Sequence, residues 1–331
     1  MHLRSRSRTP GRRARLTAGL ATTVMLAAAA GCGLQTAGGV VPTAELAGAT
    51  SDVDSLEGAE IAVGSKNFSE NIILGKIALI MLKAAGAEVT DLTNIPGSTA
   101  ARQAEVEGQI DAMWEYTGTG WINYLGHDKP IPDEQEQYEA VRDEDLEENN
   151  LVWLPPAPMN NTYGFAITQD SVEKYGIKTL SDVNKLPKEA QTYCVETEFT
   201  NRPDGLPGML KTYGLTASDD QLKIFQTGAI YDATDRGECV LGEVFTTDGR
   251  ILALDLTVLE DDKEYFPKYN VSLVLREELY EEYPQIEELM APVTEKLTDE
   301  ELIAMNAQVD VDGKEPTDVA EDWLREQGFI E

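Results

Sequence analysis

Residues 60–116 decide the fold, and they read EIAVGSKNFSENIILGKIALIMLKAAGAEVTDLTNIPGSTAARQAEVEGQIDAMWEY. The stretch alternates strand-like and helix-like segments, in the order strand 60–65, helix 71–85, strand 88–92, helix 99–107 and strand 109–116. Each helix-like segment ends at a glycine, Gly86 or Gly108, and glycine is a common stop signal for a helix. This alternation predicts a mostly parallel sheet covered by helices, which is the α/β class.

The same alternation begins again in the second half of the chain, after a polar, acidic helical segment near residues 133–148. Further strands are predicted at 151–154, 163–168, 191–195 and 239–245, and further helices at 206–213 and 229–236. The tail from about residue 276 to residue 331 is predicted to be mainly helical. A chain of 331 residues has room for two such α/β units.

The composition excludes several classes of function. The chain has 27 Lys and Arg against 59 Asp and Glu, a net charge of -32, so the phosphates of a nucleic acid would be repelled. Of its two histidines, His2 lies in the predicted leader, which leaves His127 as a general base or zinc ligand. The sequence has no nucleotide-binding glycine loop, GxSxG or HExxH motif. We therefore expect a binding protein that is not an enzyme and holds no cofactor or metal.

The first residues have the pattern of an export signal. Residues 1–15 carry six Arg and no acid, and residues 16–30 form a run of mostly apolar residues, LTAGLATTVMLAAAA. The next residues complete a sequence, Ala29-Ala30-Gly31-Cys32, that resembles a bacterial lipobox. We predict a lipoprotein signal peptide at 1–31 and a lipid on Cys32, so that the protein is anchored to the cell membrane on its extracytoplasmic side. The alternative is a plain secretory signal that happens to contain a cysteine.

Residues 32–58 follow the predicted leader and are rich in Gly, Ala, Ser and Thr without periodicity. Such a composition predicts a flexible tether between the lipid and the folded body. A flexible chain of this length spans roughly 25–30 Å from end to end.

Two cysteines, Cys194 and Cys239, remain beyond the leader, and both sit in apolar, strand-like stretches. An exported protein meets an oxidising environment, and two cysteines allow a single intramolecular pairing. We predict a disulfide bond between them; two buried free thiols are the alternative.

Aromatic and basic residues cluster in turn-rich segments that lie at or just past predicted strand ends. In open α/β sheets, loops at strand ends converge on a crevice where ligands bind. The ring faces there could attract a quaternary ammonium, at about 0.5–2 kcal/mol per face. The candidate rings are Tyr116, Tyr163, Phe245 and Tyr269, which we call the cage.

Three polar residues of the same segments, Lys66, Thr119 and Arg202, could hold a carboxylate through charge-assisted hydrogen bonds, and we call them the clamp. A cage for a cation beside a clamp for an anion describes a zwitterion such as glycine betaine. In the alternative interpretation each tyrosine packs in the core, and Lys66 and Arg202 pair with the abundant acids.

Several segments, in the same order along the chain, resemble the osmoprotectant-binding lipoproteins of ABC importers, which bind glycine betaine, carnitine, choline and related quaternary amines. The resemblance runs from about residue 58 to the C-terminus. The segments are GSKNFSENIILG, EYTGTG, NNTYGFAI, EFTNRPDGLPGMLKTYGL, TTDGRI, LEDDKEYFPKYN and QVDVDGKEPTDVAEDWLREQG.

The resemblance implies a two-lobed periplasmic-binding-protein fold of type II that closes around its ligand at a hinge. Lobe 1 would comprise residues 59–160 and 248–331, and lobe 2 residues 161–247. It also implies a monomer that docks on membrane permease subunits driven by a cytoplasmic ATPase. The disulfide would then lie within lobe 2 and leave the hinge free.

The family pattern matches all cage and clamp residues by position, with two departures. Members usually have Tyr where this chain has Phe245, so a hydroxyl is missing, and they often have Asp where this chain has Asn161, so a negative charge is missing. We count Asn161 among the polar residues of the site. The complete clamp favours a carboxylated betaine over choline.

Other interpretations stay open from sequence alone. The same importer role could serve choline, ectoine, proline betaine or an ordinary amino acid. A surface lipoprotein without a small ligand and an enzyme acting on quaternary amines are the alternatives from other classes.

Overall fold

The computed structural model describes residues 40–331, so the predicted signal peptide and Cys32 lie outside the described residues. The strands are β1 Glu60–Lys66, β2 Glu88–Ile95, β3 Ala112–Tyr116, β4 Leu151–Trp153, β5 Tyr163–Thr168, β6 Tyr193–Val195, β7 Leu222–Ile224, β8 Leu241–Phe245, β9 Leu256–Val258 and β10 Val271–Arg276. The α-helices are α1 Ser69–Ala84, α2 Ser98–Val106, α3 Glu134–Asn149, α4 Gln169–Tyr175, α5 Leu206–Tyr213, α6 Thr227–Asp235, α7 Arg250–Ala253, α8 Glu277–Glu282, α9 Gln285–Thr294, α10 Asp299–Asp310 and α11 Pro316–Glu326.

These strands form two five-stranded sheets, in the orders β2-β1-β3-β10-β4 and β7-β6-β8-β5-β9. Within each sheet three strands are parallel, β2-β1-β3 and β7-β6-β8. The prediction of a mostly parallel sheet is confirmed, because four of the five strands in each sheet point the same way. The strands β10 and β5 run antiparallel to their neighbours and make both sheets mixed. The reason is that β5 and β10 each enter their sheet from the other sheet, without a crossover helix of their own.

A long, mostly apolar segment forms α1, which is buried at every position from Ile73 to Leu82. It is apolar all round because it packs on β1 and β2 on one side and on α9, α10 and α11 on the other. Gly75 allows the helix to approach the sheet closely, since a Cβ there would lie 2.8 Å from Thr93 Cγ2.

The chain passes between the two sheets twice, between β4 and β5 and again between β9 and β10. The two passing segments contact each other, because Asn160 pairs with Asn270 and the Tyr269 N–H donates to Asn160 Oδ1 at 2.7 Å. A pair of adjacent crossing segments is the usual construction of a hinge between lobes.

The second sheet includes residues beyond the predicted end of lobe 2. Strand β9, at 256–258, pairs with β5, so this sheet extends beyond the predicted boundary at residue 247. A three-residue strand at a sheet edge carries too short a pattern to be recognised in the sequence.

The predicted tether also differs from the structure. Residues 45–56 pack against the folded body: Leu46 pairs with Ile330, and Thr50 and Leu56 are fully buried. The Leu56 N–H donates to the Ala85 carbonyl at 2.8 Å, which joins the segment to the end of α1. The few apolar residues of this stretch are irregularly spaced, so periodicity could not reveal their burial.

A disulfide bond joins Cys194 of β6 to Cys239, which precedes β8, with their Cα atoms 5.6 Å apart. Both cysteines are buried, and they pack with Ile230 and Ala233 of α6. Across residues 40–331, no helix is both long and apolar enough to cross a membrane.

Candidate functional site

A cavity with about 530 Å³ of empty space, part of it open to solvent, lies where strand ends of both sheets meet. All the cage and clamp residues and Asn161 line it: Lys66, Tyr116, Thr119, Asn161, Tyr163, Arg202, Phe245 and Tyr269. The structure therefore brings every predicted non-covalent site residue together in one cavity.

Strand termini explain why residues distant in the sequence meet here. Lys66 and Tyr116 are the last residues of the adjacent parallel strands β1 and β3, so they emerge at the same edge of the first sheet. Tyr163 is the first residue of β5 and Phe245 the last of β8; the two strands are antiparallel, and these two residues are paired. Tyr269 lies two residues before β10, on the second crossing segment.

The cage rings contact one another at angles that enclose space. The Tyr163 centroid lies 5.1 Å from that of Phe245 and 5.6 Å from that of Tyr269, and the latter pair is nearly perpendicular at 85°. Phe68, which the sequence analysis did not count as a cage residue, continues the wall: its centroid is 5.4 Å from Phe245 and 6.0 Å from Tyr116. Phe68 also lines the cavity, so five rings surround it.

Two cage tyrosines are held by hydrogen bonds from their hydroxyl groups. The Tyr116 hydroxyl donates to Glu70 Oε1 at 2.8 Å, and the Tyr269 hydroxyl donates to Asp204 Oδ2 at 2.7 Å. Burial, and then the nearby Glu70 carboxylate, raises the pKa of Tyr116 well above its usual value, so the phenol keeps its proton. Both rings are thus fixed at their polar ends.

The clamp cations each have a carboxylate partner of their own. Lys66 Nζ pairs with Glu115 and lies 5.0 Å from the Tyr116 centroid. Arg202 donates to both oxygens of Asp204, Nε to Oδ1 at 2.8 Å and Nη2 to Oδ2 at 2.6 Å. The clamp residues therefore both line the cavity and pair with acids, so the two interpretations of the sequence are combined in one structure.

Arg202 also touches the rest of the site. Its Nη2 donates to the Thr119 hydroxyl at 3.4 Å, and its guanidinium carbon lies 5.4 Å from the Tyr163 centroid. Its Nη1 donates to Glu198 Oε1 at 3.2 Å, a contact that leaves one Nη1 hydrogen for another acceptor.

Two acids that the sequence analysis missed, Glu196 and Glu198, line the same cavity. Glu198 Oε2 accepts the Ser98 N–H at 3.1 Å, which links the second sheet to the start of α2 beside the first. Burial opposes the charge of Glu198, but hydrogen bonds from Ser98 and the charge of Arg202 outweigh it and lower its pKa. Burial raises the pKa of Glu196, whose Oε2 accepts a hydrogen bond from Thr227 at 2.7 Å. The charges in the cavity wall are therefore balanced, although the sequence analysis expected a basic clamp.

Asn161 belongs to a polar group beneath the cage. Its Nδ2 donates to Glu70 Oε1 at 2.7 Å, while its Oδ1 has no hydrogen-bond partner among the described residues. Glu70 is only 2% exposed, and the sequence analysis missed it because nothing in the pattern distinguishes it from the many exposed acids.

Comparisons with known proteins identify the family of this chain. The family model described as "Substrate binding domain of ABC-type glycine betaine transport system" matches residues 59–326. The glycine-betaine-binding protein of Pseudomonas aeruginosa is 38% identical over 82% of this chain and 89% of its own length. The ergothioneine transport permease/ergothioneine binding protein EgtU of Helicobacter pylori is 32% identical over 83% of this chain, which spans 49% of that longer protein.

A solved structure, apo YehZ from Escherichia coli, is similar at a TM-score of 0.62 with 32% identity, covering 82% of this chain and 99% of its own. This similarity confirms the predicted two-lobed fold of type II periplasmic binding proteins. The chain belongs to the family of substrate-binding domains of ABC-type glycine betaine transport systems, whose members are binding proteins rather than enzymes.

Proposed function

We propose that this protein captures a quaternary-ammonium osmoprotectant, most specifically glycine betaine or a similar carboxylated betaine, through its cage and clamp. The observation that carries the proposal is that five rings, from the loops and strands of both sheets, line one cavity together with Lys66, Thr119 and Arg202. A methylated ammonium donates no hydrogen bonds, so ring faces bind it at about 0.5–2 kcal/mol each without leaving a donor unsatisfied.

The opposite end of the ligand would meet the clamp. Lys66 Nζ has three hydrogens and uses one on Glu115, and Arg202 keeps one free Nη1 hydrogen. These donors, with the Thr119 hydroxyl, supply charge-assisted hydrogen bonds worth about 1.5–3 kcal/mol each to a carboxylate.

Choline is a second candidate, favoured by a specific observation. Glu196 and Glu198 line the cavity, and both clamp cations already have carboxylate partners. A cation that ends in a hydroxyl would therefore meet no repulsion at the clamp, whereas a carboxylate competes with Glu198 for Arg202.

As a substrate-binding protein of the ABC transporter family, the chain binds a small ligand and works with membrane permease subunits and an ATPase. We place the hinge in the crossing segments 154–162 and 259–270, with lobe 2 between them and lobe 1 on either side. A ligand that touches both lobes binds the closed form more tightly than the open form, which is the condition for closure by population shift. We also propose that the protein is a monomer. The lipobox-like sequence that ends at Cys32 supports an anchor through a lipid on that cysteine, on the extracytoplasmic side of the membrane.

Titration calorimetry on the purified mature protein tests the proposal. The ligands are glycine betaine, choline, ectoine, proline and ergothioneine. Ergothioneine is included because it is a betaine and one relative is named for it. We expect glycine betaine to bind, and Tyr163→Ala to weaken it while Tyr175→Ala does not, since the half-buried Tyr175 on α4 lies outside the cavity. Binding of ectoine or proline alone would assign a different ligand class, and absence of binding by every compound would refute the proposal.

A further inference from the structure

The buried carboxylate of Glu70 lies in the first turn of α1, directly behind the cage. Each oxygen of this carboxylate accepts two hydrogen bonds. Oε1 accepts from Tyr116 Oη at 2.8 Å and from Asn161 Nδ2 at 2.7 Å. Oε2 accepts from Asn306 Nδ2 at 3.0 Å and from Thr247 Oγ1. No ion pair of residues 40–331 includes Glu70, so the four contacts are all with neutral groups.

This set of donors fits an ionised carboxylate. A carboxylate has about four acceptor positions and no donor, and four donors fill them. A protonated carboxyl would require one hydroxyl partner to accept instead, because the amide groups of Asn161 and Asn306 can only donate from Nδ2. Burial raises the pKa of Glu70, and the four hydrogen bonds oppose that rise. Glu70 thus places a negative charge in the protein interior without a cation of the protein beside it.

Two of the four partners carry the effect of this charge to the cavity. Tyr116 is a cage ring, and a phenol that donates to a carboxylate becomes more electron-rich, which strengthens the attraction of its face for a cation. Asn161 donates through Nδ2, and the other end of its amide dipole, the buried Oδ1, is an acceptor without a partner in the part of the chain that the structure describes. Both residues line the cavity.

We propose that Glu70 is the specificity-determining charge of this ligand site: through Tyr116 and Asn161 it makes the cage select a permanent cation over a neutral group of the same shape. The proposal rests on the proposed function of the cavity. It also explains how the site has a negative charge near the head group although Asn161 stands at a position where an acid was expected.

Glu70 also joins α1 to Thr247 after β8 and to Asn306 of α10, so a purely structural role must be distinguished from an electrostatic one. The test therefore compares two ligands of the same shape, glycine betaine and 3,3-dimethylbutanoate, in which carbon replaces the charged nitrogen. The variant is Glu70→Gln, which keeps the size and removes the charge. The matched control is Thr247→Val, which removes one hydrogen bond to Glu70 and keeps its charge.

The Tyr116 hydroxyl touches Glu70, so a cation over the Tyr116 ring would lie within about 10 Å of the carboxylate. At an effective dielectric of about 20, removal of a unit charge at that distance weakens binding about tenfold. The carboxylate is common to both ligands, so its repulsion by Glu70 cancels when the two affinities are divided. We therefore expect the ratio of glycine betaine affinity to 3,3-dimethylbutanoate affinity to fall about tenfold in Glu70→Gln. Thr247→Val should leave the ratio of the two affinities unchanged.

An unchanged ratio of the two affinities in Glu70→Gln would overturn the proposal while leaving the proposed function intact. Failure of the unaltered protein to bind any quaternary amine would overturn both. If the protein prefers choline, the pair becomes choline and 3,3-dimethylbutan-1-ol. If Glu70→Gln does not fold, Tyr116→Phe replaces it, because it removes only the hydroxyl that transmits the charge; an unchanged affinity ratio in that variant would overturn the proposal.

Discussion

Replacing Arg202 should separate what this residue does for the ligand from what it does for the fold. Arg202 and Asp204 are 4% and 5% exposed and are joined by two hydrogen bonds. Arg202→Ala leaves the Asp204 charge buried and without its cation, which costs about 3–5 kcal/mol of folding free energy. The same change removes one charge-assisted bond to a ligand carboxylate, worth about 1.5–3 kcal/mol, so glycine betaine should bind at least about tenfold more weakly.

The double variant Arg202→Met/Asp204→Asn removes both charges of the pair and isolates the effect on the ligand. Its asparagine can still accept the Tyr269 hydroxyl, which donates to Asp204 in the unaltered protein. We expect the double variant to recover much of the stability that Arg202→Ala loses, because the buried Asp204 charge is removed together with its cation. Its affinity for glycine betaine should remain at least about tenfold below that of the unaltered protein, while its affinity for choline stays within about twofold.

Urea denaturation gives the stability of each variant, and titration calorimetry with the two ligands gives the affinities. Equal losses of glycine betaine and choline affinity in the double variant would refute the assignment of Arg202 to the ligand carboxylate. Its role would then be to pair with Asp204 and Glu198.

Three further predictions concern the cage, the disulfide and a buried acid. Tyr163→Ala should weaken glycine betaine binding about tenfold or more in calorimetry, and an unchanged affinity would contradict the cage. Replacing Cys194 and Cys239 by serine opens a loop with a sequence separation of 45 and should lower the free energy of unfolding by about 4 kcal/mol, with ligand affinity unchanged; an unaltered urea midpoint would contradict this. Burial raises the pKa of Glu105 from 4.5 to about 8, so its contribution to stability is fully present below pH 4.5 and is lost as the pH rises towards 8. Glu105→Gln should therefore flatten the fall in melting temperature between pH 5 and 8.5, whereas Glu107→Gln, at an exposed position, should follow the unaltered protein.

Long elements with clear periodicity and end signals were predictable from sequence, and elements defined by tertiary pairing were not. The sequence gives β5 and α5 with the bounds that the structure has, because each is a continuous run ended by a polar residue or a glycine. The strands β7 and β9 are three residues long and exist only because a neighbour pairs with them. The direction of β10 depends on the end of the sheet at which the crossing segment enters. No local sequence pattern encodes that.

The site shows the same division. Two signals identified the aromatic and basic residues of the site: their position at the ends of predicted strands, and the family resemblance. Both signals are clear because such residues are few in this chain. The acids Glu70, Glu196 and Glu198 were not predicted, because they do not stand out among 59 Asp and Glu. Only the fold shows that Glu70 is buried and that Glu196 and Glu198 line the cavity. Phe68 was not predicted as a cage residue for another reason. It lies in a turn just before α1, and its part in the cage comes from its packing on Phe245.

Backbone hydrogen bonds join residues near the start of the described part of the chain to its last residues. The Glu331 N–H donates to the Glu45 carbonyl at 2.9 Å, and the Ala47 N–H donates to the Phe329 carbonyl at 2.8 Å. Because these two ends lie side by side, a short linker could fuse them and new termini could be opened in the exposed loop around Asp128 and Lys129. Such a circular permutant would allow a fluorescent reporter to be inserted near residue 128 without disturbing the paired ends, and so turn the protein into an optical sensor for its solute.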